Sequence, residues 1–156
     1  MNNFRLTSKA TFFTALLFCW VLVGHANAAA KISDIKVRMF LQHSGEFSPA
    51  LKGNEALWNT VIGEGDIAEP SNAALVDVVI VENIPSNKQQ FVKLIVKSKR
   101  NGKILVIRQE RVGLFNSSGE THVGFWLPKI GCEEIDINAS INQQVKKISL
   151  QFRCGE

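Results

Sequence analysis

An all-β, antiparallel two-sheet fold is what this chain predicts, on three observations. Apolar residues recur at every second position through most of its length, whereas helical spacing is nearly absent. Turn residues break these runs at the short intervals expected of a sandwich of about seven strands. Two cysteines, Cys132 and Cys154, bracket the last two runs.

In SDIKVRMFLQ (residues 33–42), Ile35, Val37, Met39 and Leu41 alternate with Lys36, Arg38, Phe40 and Gln42, so one face of a strand is buried. ALVDVVIVENIP (74–85) is a near-continuous Val/Ile run ended by a turn at Pro85, the mark of a strand deep in the core. QQFVKLIVKSKRNGKILVIRQERV (89–112) is the strongest local signal. Asn101 and Gly102 both tolerate positive φ and predict a tight hairpin turn, which sets Lys93 opposite Glu110 and Val96 opposite Ile107. THVGFWLP (121–128) aligns Val123, Phe125 and Leu127 on one face, with Trp126 and His122 on the other. EEIDINASI and KKISLQFRC form the last hairpin around residues 142–144, with Ile137 near Leu150, Ile135 near Phe152, and a bulge or Gly131 absorbing one residue. Its open end then carries a Cys132–Cys154 disulfide.

These strands predict an immunoglobulin-like sandwich with one long insertion between the first and second strands and one disulfide near the C-terminus. The pattern departs from antibody domains, because the cysteines sit on consecutive strands with no tryptophan midway between them. The insertion, residues 43–72, is far longer than the usual connection of about 2–6 residues. Its apolar residues, Phe47, Leu51, Leu57, Trp58, Val61, Ile62 and Ile67, argue for burial. NEALWN reads as a helical turn, NTVIG as a short edge strand, GEGDIAEPSN as the true loop, Trp58 as a core plug and Trp126 as packed beneath the segment.

The N-terminus predicts export. Arg5 and Lys9 precede an apolar stretch from Ala10 to Val23, and Ala26-Asn27-Ala28 offers a cleavage site, so residues 1–28 read as a cleaved secretory signal peptide. The apolar stretch falls short of the roughly 20 residues that a spanning helix needs, so the chain after cleavage is not membrane-embedded. Residues 29–156 then make a single β-sandwich domain in the periplasm or outside the cell. Cleavage removes Cys19, Arg5 and Lys9 but no acid, so the net charge falls from +4 to +2. Such a balance excludes nucleic acid as a partner, which requires a concentrated basic face. The remaining cysteines predict a disulfide in an oxidising compartment. Zinc is disfavoured, since His43 and His122 form no close ligand pair with either cysteine.

Candidate ligand-binding residues are Trp58, Asn59, Glu64, Asp66, Glu69 and Trp126. Glu64, Asp66 and Glu69 supply hard oxygen ligands close together, and Gly63 and Gly65 let backbone carbonyls turn inward, as calcium needs, but their spacing matches no EF-hand, and solvated loop acids with no cofactor are the plainer reading. Trp58 with Asn59 resembles a sugar-stacking platform. The basic tip KSKRNGK reads as a solubilising device at a hairpin edge. No catalytic residues are assigned: there is no G-x-S-x-G, His122 has no evident acid partner, and Glu64 and Asp66 stand too close in sequence to span a glycosidase cleft. The chain is therefore expected to be non-catalytic and to act on a protein partner, as an accessory subunit, inhibitor or immunity-type factor. A carbohydrate- or calcium-binding module using residues 57–72 is the alternative.

Overall fold

The computed structural model describes residues 30–53, 56–82, 89–130 and 132–155. The proposed signal segment, the turn at Pro85 and Gly131 lie outside them. Among the described residues there are eight strands and no helix: β1 (Lys31–Met39), β2 (Ala56–Trp58), β3 (Ala74–Val81), β4 (Phe91–Ser98), β5 (Ile104–Arg111), β6 (Glu120–Leu127), β7 (Glu134–Ile141) and β8 (Gln144–Arg153). They form a three-stranded sheet, β1-β3-β6, and a five-stranded sheet, β2-β8-β7-β4-β5. All pairings are antiparallel except β2 with β8. No helix among the described residues is long and apolar enough to cross a membrane.

One apolar cluster fills the space between the sheets, with Val37, Val78 and Phe125 facing Leu94, Ile137 and Leu150 across it. The period-two pattern places these residues, because alternate side chains of a strand point to opposite faces. The Val/Ile run in β3 departs from strict alternation at Val79, which points away from the core yet is only 3% exposed, while Leu75, Asp77 and Val81 on the same side are half-buried.

Two registers differ from the sequence expectation. In the β4–β5 hairpin Lys93 faces Gln109, Ile95 faces Ile107 and Val96 faces Val106, one residue away from the two-residue-turn register. Only Gly102 takes a positive φ (71°), so the turn that needs two such residues does not form. Instead Ser98 donates to the Lys103 carbonyl and Gly102 to the Ser98 carbonyl, closing a wider loop, with a bulge beyond Val96. In the last hairpin Ile135 faces Leu150 and Ile137 faces Ile148. Asn142, at φ 53°, makes the turn tighter than expected, and no bulge interrupts the register from Glu134 to Ile141. Cys132 and Cys154 still meet at the open end, with a Cα–Cα distance of 5.3 Å that suits a disulfide.

The insertion is also built differently. After β1 the chain folds back, with Leu41 donating to the Glu46 carbonyl, Ser48 to that of Met39 and Leu51 to that of Val37, so residues 46–51 cover the β1 edge. Residues 56–58 are a strand, and Thr60–Gly63 is a turn rather than an edge strand. Asn59 reverses the chain at φ 47°, and its carbonyl accepts from Ile62, Gly63 and Glu64. Leu57, not Trp58, is the core plug: it is 2% exposed, whereas Trp58 is 47% exposed on the outer side.

Candidate functional site

The outer face of the three-stranded sheet carries the most unusual surface. Cross-strand pairing aligns Arg38, Leu75 and Trp126 in one row, Lys36, Asp77 and Gly124 in the next, and places Val79 beside His122 in a third. Phe40 continues β1 on the same side, and its bridge to Phe47 brings that ring in from the insertion. The three rings meet edge to face, at centroid distances of 5.6 Å for Phe40–Trp126, 5.7 Å for Phe40–Phe47 and 6.4 Å for Phe47–Trp126. That geometry sets ring edges against ring faces, the arrangement aromatic pairs favour. Yet Trp126 remains 46% and Phe47 42% exposed. Segment 43–72 therefore supplies a neighbour for Trp126, not the expected lid.

Gly124 leaves a gap between Trp126 and His122, since a Cβ there would touch only Leu75, at 3.4 Å. Below the gap, His122 Nδ1 lies 2.9 and 3.0 Å from the two carboxylate oxygens of Asp77, and Nε2 lies 3.1 Å from Glu120 Oε1. His122 thus has two acid partners, which corrects the expectation of none. Asp77 arrives from β3 on a cross-strand diagonal, and Glu120 shares the face two residues earlier in β6. Each ring nitrogen faces a carboxylate, so the imidazolium satisfies both. The hydrogen bond to Asp77 raises the His122 pKa above its ordinary 6.5, against the opposing effect of desolvation, with the negative charges of Asp77 and Glu120 adding to the rise. Because the folded value is the higher one, the stabilisation is complete below about pH 6.5 and is lost as pH rises through the folded value. In an NMR titration the His122 midpoint is expected above the ordinary 6.5, and Asp77→Asn is expected to move it back down. A midpoint indifferent to Asp77→Asn would contradict this arrangement.

The residues singled out in the sequence do not share one pocket. Trp58 lies on the outer face of the five-stranded sheet, paired with Arg153, whose guanidinium stands 5.7 Å over its ring. Trp126 lies on the outer face of the other sheet. The Asp66 carboxylate accepts from the Trp58 backbone N–H at 3.3 Å, and Gly65, at φ 87°, backs so closely onto the Trp58 carbonyl that a Cβ would stand 2.8 Å from its oxygen. Glu69 accepts from the Ser44 N–H at 2.9 Å, and this bond lowers its pKa below the ordinary 4.5 despite opposing desolvation. Asn59 accepts from the Gly155 N–H at 2.7 Å, and Glu64 is exposed. Asp66 and Glu69 tie the insertion to itself, and Asn59 fastens it to the chain beyond β8. Among the described residues, no three His, Cys, Asp or Glu side chains gather to hold a metal ion.

Phe40, Phe47, Asp77, Glu120 and Gly124 were not picked out by sequence reasoning as site residues. The available signal was Phe40, just past β1 and in phase with its outward positions, matching Trp126 in β6. What fold and site define is the class of two-sheet, all-β proteins bearing an exposed aromatic face. No protein-family model matches the chain, and comparison with curated proteins finds no match.

Proposed function

We propose that this is an exported, non-catalytic binding protein with an immunoglobulin-like sandwich, which holds a protein partner against the aromatic face of its smaller sheet. The observation that carries the reading is the edge-to-face Phe40–Phe47–Trp126 cluster with nearly half of Phe47 and Trp126 left in water. Rigid, exposed aromatic groups beside polar ones are the usual composition of interaction hot spots, and they lose little conformational freedom on binding. An accessory subunit, inhibitor or immunity-type factor fits such a surface.

Strand order supports the immunoglobulin-like assignment: β1 and β6 flank β3 in one sheet, while β2 runs parallel to β8 at the margin of the other. Export to the periplasm or the exterior is supported by the composition of residues 1–28 and by the disulfide distance of Cys132 and Cys154. The non-catalytic reading draws on His122, whose two ring nitrogens face carboxylates and not a nucleophile.

Carbohydrate binding is the second reading, favoured by the gap at Gly124 between Trp126 and the polar His122–Asp77 pair. The test is cross-linking of the purified protein in exported fractions, run beside Trp126→Ala and a glycan array. One discrete protein adduct is expected, weakened roughly thirtyfold by Trp126→Ala, as for a hot-spot residue. An adduct indifferent to Trp126→Ala, or binding to glycans alone, would overturn the protein-partner reading.

A further inference from the structure

The five-stranded sheet has a free margin at β5. Among the described residues β5 pairs with β4 on one side and with no strand on the other. Natural margins of this kind are shortened, covered or heavily charged, because their exposed N–H and C=O groups accept a further strand. Here one half is apolar: Ile104, Leu105 and Ile107 are 48%, 43% and 49% exposed. Leu105 is the bulge residue left without a partner in β4, and it lines a cleft of about 460 Å³. Val106, Leu127, Ile130 and Ile135 line that cleft between the sheets.

We infer that β5 accepts an extended, acidic–apolar segment of another protein as an added strand. Main-chain hydrogen bonds along β5 supply the affinity, and alternate side chains of the guest enter the cleft beside Leu105 and Val106. Charge selects the guest. Lys103, Arg108 and Arg111 lie on or next to β5, Lys93 and Lys97 lie on the neighbouring strand, and Glu110 is the one acid of β5. Among the described residues the margin cations Lys93, Lys97, Lys103, Arg108 and Arg111 take part in no ion pair. Acids on the guest complement them, whereas a second copy of this chain would bring like cations together.

The probe is a fluorescein-labelled peptide of alternating valine and glutamate, as long as β5, with a valine–lysine peptide as its counterpart. Anisotropy with the purified protein is expected to show saturable binding of the glutamate peptide, weakened at least about tenfold by Arg108→Glu with Arg111→Glu, and weaker by a similar factor for the lysine peptide. Hydrogen exchange is expected to slow at residues 104–111 when the glutamate peptide binds. These substitutions lie on exposed positions, and unchanged circular dichroism verifies the fold of the variant. Absence of saturable binding, equal binding of both peptides, protection elsewhere than β5, or self-association through β5 would each overturn the inference. Trp126→Ala leaves peptide binding unchanged, so this surface and the aromatic face fail separately.

Discussion

Replacing Cys132 and Cys154 together by serine lowers the stability of the folded chain by about 3 kcal/mol. The bond closes a loop with a sequence separation of 22, so it removes conformations chiefly from the unfolded state. Its position makes the loss felt beyond the last hairpin. Asn142 holds the turn end of β7 and β8, and the cysteines hold the open end, where Gln151, Phe152 and Arg153 carry β2 as a parallel partner. Freeing that end loosens β2, the Asn59–Gly155 hydrogen bond and with them the anchor of the insertion. Against a typical total of about 5–15 kcal/mol, this is a substantial share. Urea unfolding measures it: the double variant shifts to a lower midpoint, and wild-type protein in reductant moves to the same place. Coincident midpoints for oxidised wild type and variant would show that the bond contributes nothing.

The faces of the strands were legible in the sequence, and their registers were not. Alternation fixes which side chains of β1, β6 and β7 point inward, because burial of one face requires it whatever the neighbour. Register depends on turn geometry, and Asn101-Gly102 is compatible with more than one. In the structure the loop takes positive φ at Gly102 alone and shifts β5 by a residue. β2 was invisible for another reason, since three residues are too few to display a period. The choice between Leu57 and Trp58 for the core is likewise nonlocal, set by whether Phe152 or Arg153 of β8 lies alongside.

The site divides in the same way. Trp126 and His122 on one face of β6 followed from alternation, and Glu120 shares that face, but their other partners arrive from elsewhere in the chain. Asp77 comes from β3 and Phe40 from the residue after β1, and Phe47 reaches the cluster only because the chain folds back there. The acids of residues 64–69 looked like a ligand set because they are close in sequence. In space Asp66 serves the Trp58 amide and Glu69 the Ser44 amide, two separate fastenings.

Leu94→Ala destabilises the protein by about 2–5 kcal/mol, whereas Ile107→Ala costs about 1 kcal/mol at most. Leu94 is 0% exposed in β4, which is flanked by β7 and β5, so its truncation opens a cavity that surrounding strands cannot close without breaking two ladders. Ile107 pairs with Ile95 on the outer face and keeps 49% of its surface in water, so its side chain has far less burial to lose. The contrast separates the two hairpin registers. With Asn101 and Gly102 as a two-residue turn, Ile107 would oppose Val96, face the core and cost nearly as much as Leu94 on truncation. With the observed bulge, Val106 takes that inward place and Ile107 is left on the free margin, available to an added strand. Chemical denaturation of the two variants side by side decides the matter: comparable losses would mean that Ile107 is buried, and both the register and the exposed apolar margin of β5 would have to be abandoned.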